Sequence, residues 1–259
     1  MRHRATAEYY DSTNCFLAGT KINSHMQSLN GKVALITGGA VGTALAQRFL
    51  KAGSNVAFVF RDAGREKILR TALANHTDDL RLMRADLDSH DDATRVSDAV
   101  GRAFGGIDFL VNSLGGWIGG KKLHEHSPSE VAKMFDMDFV PTFNIMSAVL
   151  PKMVEQKFGR IVNFVAMQVF GSGAGNAVYS ASKSAVLALT MAAAEEYKGY
   201  GISVNAIAPS TIDTAANRKS MPKADTSKWV KVEEIVDAVM FLCGAESSVN
   251  GTVLKFLTK

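Results

Sequence analysis

The sequence predicts a single α/β domain in three layers, a doubly wound parallel sheet with helices on both faces. Two observations carry that prediction. Apolar strand candidates recur near residues 33–37, 56–60, 108–112, 160–165 and 202–206, alternating with stretches of helical spacing. A strand without polar alternation is buried on both faces, the condition of a parallel sheet under helices. The first run, Val33-Ala34-Leu35-Ile36-Thr37, passes straight into a glycine turn and then a helix. With 259 residues, 47% hydrophobic and 21% charged, the chain can bury one sizeable core without dividing. No internal repeat, low-complexity tract or Pro- or Ser-rich linker interrupts it.

Taken in order, the turn is Gly38-Gly39-Ala40-Val41-Gly42-Thr43-Ala44, and Leu45, Ala46, Phe49 and Leu50 continue at helical spacing. Glycine lets the backbone approach a pyrophosphate, and the helix N-terminus offers unbonded N–H groups at the positive end of its dipole. The second run, Val56-Ala57-Phe58-Val59-Phe60, ends at Arg61 and Asp62, with Asp62 placed to cap the next helix. A third apolar segment precedes Asp86-Leu87. The fourth closes on Asn112-Ser113-Leu114-Gly115 and leads into Gly116-Trp117-Ile118-Gly119-Gly120. In the helical stretch before Leu150-Pro151, Pro141 lacks an N–H and is expected to bend the helix. Gly159-Arg160-Ile161-Val162-Asn163 opens the fifth strand, and the segment from Asn205 to Thr214 carries the sixth strand and its loop.

Between those last two strands lies Tyr179-Ser180-Ala181-Ser182-Lys183. Tyrosine and lysine four residues apart share one face of a helix. An ammonium near a phenol favours the phenolate, so Lys183 is expected to lower the Tyr179 pKa and make it a usable acid or base.

Thr37-Gly38-x-x-x-Gly42-x-Ala44, followed by Tyr179-x-x-x-Lys183, resembles the short-chain dehydrogenase/reductase family, and the resemblance runs from about Gly31 to about Leu254. The other segments appear in that family's order. The resemblance implies a Rossmann-type fold and an NAD(P)-dependent oxidoreductase that transfers hydride from reduced nicotinamide. It makes Tyr179 and Lys183 the catalytic pair, with both also touching the cofactor. Thr37, Gly38, Gly42, Arg61, Asp86, Leu87, Asn112, Gly115, Pro209, Ile212 and Thr214 complete the expected cofactor site, with Asp86 near the adenine.

The departures from the family pattern narrow the reading. Most members carry a serine thirteen residues before the tyrosine, where this chain has Ala166. The asparagine that commonly completes the catalytic group aligns with Asp138, and the third glycine of the phosphate turn is Ala44. An alanine cannot polarise a ketone. The strings Gly-Gly-Trp-Ile-Gly-Gly at 115–120 and Asn-Arg-Lys-Ser-Met-Pro-Lys-Ala-Asp at 217–225 are similar to those of quinonoid dihydropteridine reductases, a branch that keeps the Tyr-Lys pair and has alanine for serine. A small conjugated substrate, a quinonoid dihydropterin, is therefore expected. Trp117 would stack on it, Ala166, Gln168 and Asn217 would border it, and Tyr179 would supply the proton. A carbonyl reductase of the 3-oxoacyl carrier-protein type and a non-catalytic NADP-binding regulator are the alternatives.

NADP(H) is the expected cofactor and NAD(H) the alternative, because the Arg61 guanidinium suits a 2′-phosphate by charge and geometry. Residues 1–29 read as a flexible tail ahead of a domain spanning 30–259; they lack the apolar centre of a secretory signal. His124-Glu125-His126 reads as a solvent-facing loop, so no metal site is expected. Two cysteines, Cys15 and Cys243, lack metal or disulfide-framework spacing, which points to a reducing cytoplasm. A net charge of +4 without a basic stripe gives no support to nucleic-acid binding, and no apolar stretch reads as a membrane span. The resemblance implies a homodimer or homotetramer pairing the fourth and fifth helices. The C-terminal Leu254-Lys255-Phe256-Leu257-Thr258-Lys259 departs from the family's ending and puts tetramer contacts there in doubt.

Overall fold

Seven strands, β1 (Val33–Gly38), β2 (Asn55–Phe60), β3 (Leu80–Arg84), β4 (Phe109–Ser113), β5 (Gly159–Phe164), β6 (Ile202–Pro209) and β7 (Val253–Phe256), form one sheet. Their order is β3-β2-β1-β4-β5-β6-β7, and every neighbouring pair is parallel. The computed structural model describes residues 29–258 apart from 75, 77, 172 and 245–247. The expected tail and Cys15 thus lie outside the described residues, except for Leu29, which is buried in the core. Between the strands run α1 (Ala40–Lys51), α2 (Arg65–Ala72), α3 (His90–Phe104), α4 (Pro128–Gln156), α5 (Ala177–Tyr197), α6 (Ala215–Ser220) and α7 (Val232–Cys243).

Alternate strand residues serve opposite layers, as the two-residue period of a strand requires. Ala34, Ile36, Val56 and Phe58 pack with Leu45 and Phe49 of α1, Leu69 of α2 and Ile235 and Val239 of α7. Val33, Leu35, Ala57 and Val59 pack on the other face with Ala93 and Val96 of α3, Ile145 and Val149 of α4 and Ala193 of α5. The five apolar runs are the five central strands. The two edges were harder to read. In β3 arginines alternate with Leu80, Leu82 and Met83, and β7 is a short pairing on β6 made by the C-terminal segment.

The long helix α4 starts on Ser127, whose hydroxyl accepts the Glu130 N–H while the Glu130 carboxylate accepts the Ser127 N–H, and Pro128 follows at its first position. It runs on through Pro141 and Pro151 to Gln156. The Thr142 hydroxyl donates to the Asp138 carbonyl at 2.7 Å, one turn back beside Pro141. One expectation is corrected here. Residues 177–200, α5 and the turn after it, are long and apolar enough for a membrane span by length and composition. The helix packs instead against α4, β5 and β6.

Candidate active site

The strand order reverses at β1 and β4: β2 follows β1 on one side while β4 lies on the other. A crevice opens at the carboxyl ends of strands at such a point. Gly38 ends β1 there with φ +122°, and a Cβ on it would lie 2.2 Å from the Ser113 hydroxyl and 2.6 Å from the Ser113 carbonyl oxygen. Only glycine fits so close an approach. The turn delivers the chain to α1, whose N-terminus carries no side-chain cap. That is the fit a dinucleotide requires: a cradle without side chains, facing free N–H groups.

Two cavities flank this crevice and share Ser113, Leu114 and Gly115 as a common wall. The first, about 260 Å³, is bordered by Gly38, Gly39, Arg61, Asp86 and Leu87, all expected there apart from Gly39. Arg61 pairs with Asp88 at 3.1 Å and lies 3.7 Å from Asp86. Burial pushes the Asp88 carboxyl up and Asp86 adds to the rise, while the Arg61 guanidinium opposes it. Asp62 accepts the Gly64 N–H at 2.9 Å, shaping the turn into α2. Arg65, which the sequence reading missed, opens α2 and donates to the Gly38 carbonyl at 3.1 Å. Its spacing of four from Arg61, at the start of the helix after β2, was the available signal.

The second cavity, about 780 Å³, falls within the range of roughly 300–1,000 Å³ found for small-molecule sites. Trp117, Gln168, Tyr179, Lys183, Pro209, Ile212 and Asn217 line it together, joined by Ser210 and Met221. Trp117 is 59% exposed at the mouth, its indole N–H bonded to the Asn176 side chain at 3.0 Å. Asn217 donates to the Ile212 carbonyl at 2.8 Å, fastening α6 to the end of the β6 loop. Lys183 is buried, with its ammonium 3.1 Å from the Phe164 carbonyl oxygen, 3.4 Å from that of Leu114 and 3.3 Å from Asp138.

The expected tuning of Tyr179 is reversed. Burial pushes the phenol pKa above its ordinary value, and the Asp138 carboxylate raises it further. Lys183 is paired with Asp138 at 3.3 Å. Burial pushes the Lys183 ammonium down, against the opposing pull of that same carboxylate.

Five expected residues lie off both cavities. Thr37 is fully buried in β1, and Gly42 is packed under the turn, 3.1 Å from the Thr37 carbonyl oxygen when given a Cβ. Asn112 donates to the Asn163 side chain at 2.9 Å inside the sheet. The Thr214 hydroxyl caps α6 by accepting the Asn217 N–H, and Ala166 is 2% exposed behind the cavity wall. The histidine loop also differs from expectation. His124 is exposed, but the His126 side chain is 2% exposed and lies 3.4 Å from Glu130, whose carboxyl is held at about 2 chiefly by Lys121. No cluster of three metal-ligating side chains occurs among the described residues.

Residues 32–225 match the family described as short chain dehydrogenase. A 2-(R)-hydroxypropyl-CoM dehydrogenase of Xanthobacter autotrophicus is 32% identical over 241 residues, covering 86% of this chain and 96% of that protein. An uncharacterized oxidoreductase of Staphylococcus aureus (strain MW2) is 27% identical over 87% of this chain and 96% of its own length. Among solved structures, NADP-bound ElxO matches with a TM-score of 0.82 at 25% identity, over 87% of this chain and 96% of its own. NAD+-bound xylitol dehydrogenase matches with a TM-score of 0.82 at 26% identity, over 89% of this chain and 99% of its own.

Proposed function

Because the chain belongs to the short chain dehydrogenase family and is an NAD(P)-dependent oxidoreductase, we propose that it reduces a small conjugated ring of the quinonoid dihydropterin type. One observation carries this reading: the Trp117 indole shares a cavity with Tyr179 and Lys183, while Ala166 offers no hydroxyl to a ketone. A flat, electron-poor ring lies well against an indole, a contact worth about 0.5–1.5 kcal/mol beyond area burial. Its developing charge is delocalised, so a donor aimed at one oxygen matters less.

When bound, the reduced nicotinamide supplies hydride. The turn at Gly38 and the N-terminus of α1 would hold its pyrophosphate, and Arg61 with Arg65 would favour a 2′-phosphate, hence NADP(H). Lys183 lines the cavity and would bond ribose hydroxyls by giving up one of its contacts with the Phe164 and Leu114 carbonyls and Asp138. The Tyr179 hydroxyl delivers the proton. The proposal includes a homo-oligomer, supported by Phe135, Phe139 and Phe143, which form a ring ladder on α4 that ends on 46% exposed Phe143. It also includes a cytoplasmic setting, supported by the free buried Cys243.

The test is turnover of quinonoid dihydrobiopterin by wild type and Tyr179→Phe. Turnover in wild type and its loss in the variant are expected. An inactive wild type rejects the pterin, and a fully active variant rejects the role of the phenol. One observation favours a second reading, reduction of a small ketone. The Ser210 hydroxyl, on a residue lining the same cavity, is buried without a hydrogen-bond partner. A ketone substrate whose turnover falls in Ser210→Ala would select that reading.

A further inference from the structure

The segment that walls the second cavity holds most of the chain's surplus charge. Residues 211–231 set Arg218, Lys219, Lys223, Lys228 and Lys231 against Asp213 and Asp225, an excess of +3 in a chain whose net charge is +4. Arg218 and Lys231 are both taken by Asp213, at 2.6 and 2.7 Å, and Lys228 lies 4.0 Å from Asp225. Lys219 and Lys223 are exposed and make no ion pair among the described residues. Ser220 and Met221 line the cavity, so Lys219 stands one residue before that stretch of wall and Lys223 two residues after it. Each carries its ammonium on a flexible four-carbon stem, able to meet a group that leaves the cavity past this wall.

The carboxylates near the mouth are matched. Glu125 accepts the Lys122 N–H at 2.7 Å, and Glu130 pairs with Lys121. Phe170, two residues beyond the lining Gln168, has the Lys255 ammonium 3.8 Å from its ring centroid, a further cation without a carboxylate among the described residues. The interior offers an anion nothing comparable. Lys183 is the only cation among the lining residues, and it is paired with Asp138 at 3.3 Å.

We propose that the mouth of the second cavity receives an anion, and that the acceptor is a flat ring carrying an acidic side chain, which stays outside the cavity against Lys219 and Lys223. The ring rests on the reading of Trp117 as a stacking surface; the anion rests on the charges alone. Unpaired like charges this near one another repel, and an anion held by both relieves them. Charge gathered at one opening also speeds the arrival of oppositely charged ligands, an effect that salt removes.

Collisional quenching of tryptophan fluorescence reads the charge at the mouth without any ligand. The chain has two tryptophans, Trp117 at 59% exposure and Trp229 at 7%, and subtracting the Trp117→Phe signal isolates the first. At low, matched ionic strength, iodide should outdo caesium by more than it does on free tryptophan. That excess should shrink in Lys219→Gln/Lys223→Gln, which removes both charges from exposed positions. An unchanged ratio overturns the proposal. Calorimetric titration with NADP+ present then compares folate, a pterin with an acidic tail, with biopterin, whose side chain is uncharged. Folate should bind roughly 2- to 20-fold more tightly at low salt, the scale of two exposed ion pairs. The double variant should bring the two affinities together and leave NADPH binding unchanged. Equal affinities in wild type, or a preference that survives the double variant, overturn the acidic side chain. A parallel loss of NADPH binding assigns the lysines to the cofactor and overturns it too. If neither pterin binds while the iodide excess still depends on the lysines, the ring reading fails and the anion-receiving mouth stands.

Discussion

Trp117 donates its indole N–H to the Asn176 side chain, closing a bond between residues 59 positions apart in the chain. The bond ties the glycine-rich loop after β4 to the residue that precedes α5. Gly119 makes room for the ring, since a Cβ there would fall 2.7 Å from it. The angle of the indole over the second cavity is therefore set from outside its own loop.

Asn176→Ala should loosen the ring without touching the proton donor. If stacking selects the acceptor, KM should rise by roughly 2- to 10-fold, the equivalent of about 0.5–1.5 kcal/mol, with kcat nearly unchanged. Steady-state kinetics separate the two. A fall in kcat with KM constant would mean that the bond serves the chemistry instead.

Arg61, just after β2, and Arg65, at the start of α2, border the first cavity. A charge-assisted bond to a 2′-phosphate is worth about 1.5–3 kcal/mol, so Arg61→Ala should weaken NADPH binding at least about 10-fold. NADH binding should change far less. Arg65→Ala should act in the same direction, and titration with both nucleotides, followed by tryptophan fluorescence, measures the difference. Equal losses for both nucleotides would remove the case for NADP(H).

Gly38→Ala should destroy nucleotide binding and lower stability markedly. The added methyl meets the Ser113 hydroxyl at 2.2 Å and the Ser113 carbonyl oxygen at 2.6 Å, on a backbone with φ +122°. Adding Ser113→Ala removes the first clash and leaves the second. The double variant should therefore stay defective, which thermal unfolding and nucleotide titration can verify. Recovery in the double variant would place the conflict in the side chain alone.

Asp213 anchors both ends of the segment that walls the substrate cavity. It accepts bonds from Arg218 at 2.6 and 2.9 Å and from Lys231 at 2.7 Å, and these cations hold its carboxyl well below the usual carboxylate range. A carboxyl depressed in the folded state adds stability above its unfolded pKa, about 4, and loses it as pH falls through the folded value. Asp213→Asn should thus be less stable than wild type at neutral pH, with the gap closing under acid. Trp229, buried in the same segment, offers a fluorescence probe for denaturant midpoints at each pH.

The sequence disclosed the sheet wherever strands are buried on both faces, because there the apolar run has no competing signal. It was weaker at β3 and β7, where one side of the strand is open and side chains such as Arg81, Arg84 and Lys255 are tolerated. The site was legible where residue type and spacing are themselves the chemistry, as with Gly38, Tyr179 and Lys183. It was not legible where function depends on what a side chain meets in three dimensions. Thr37 and Asn112 sit in the right motifs but point into the sheet. Arg65 sits in no motif, Ser210 was passed over within the Asn205–Thr214 segment, and both border the cavities. The upward shift of Tyr179 comes first from burial and then from Asp138, 41 positions away in sequence, and no local pattern shows either.

Because neighbouring residues of β1 and β2 belong to opposite layers, the sheet acts as a partition between two cores that scarcely communicate. Substitutions on one side can accumulate while the other keeps its packing, which leaves such a scaffold free to drift in sequence. At the rim of that partition Gly38 leaves no room before Ser113, and the chemistry is built beside this close contact.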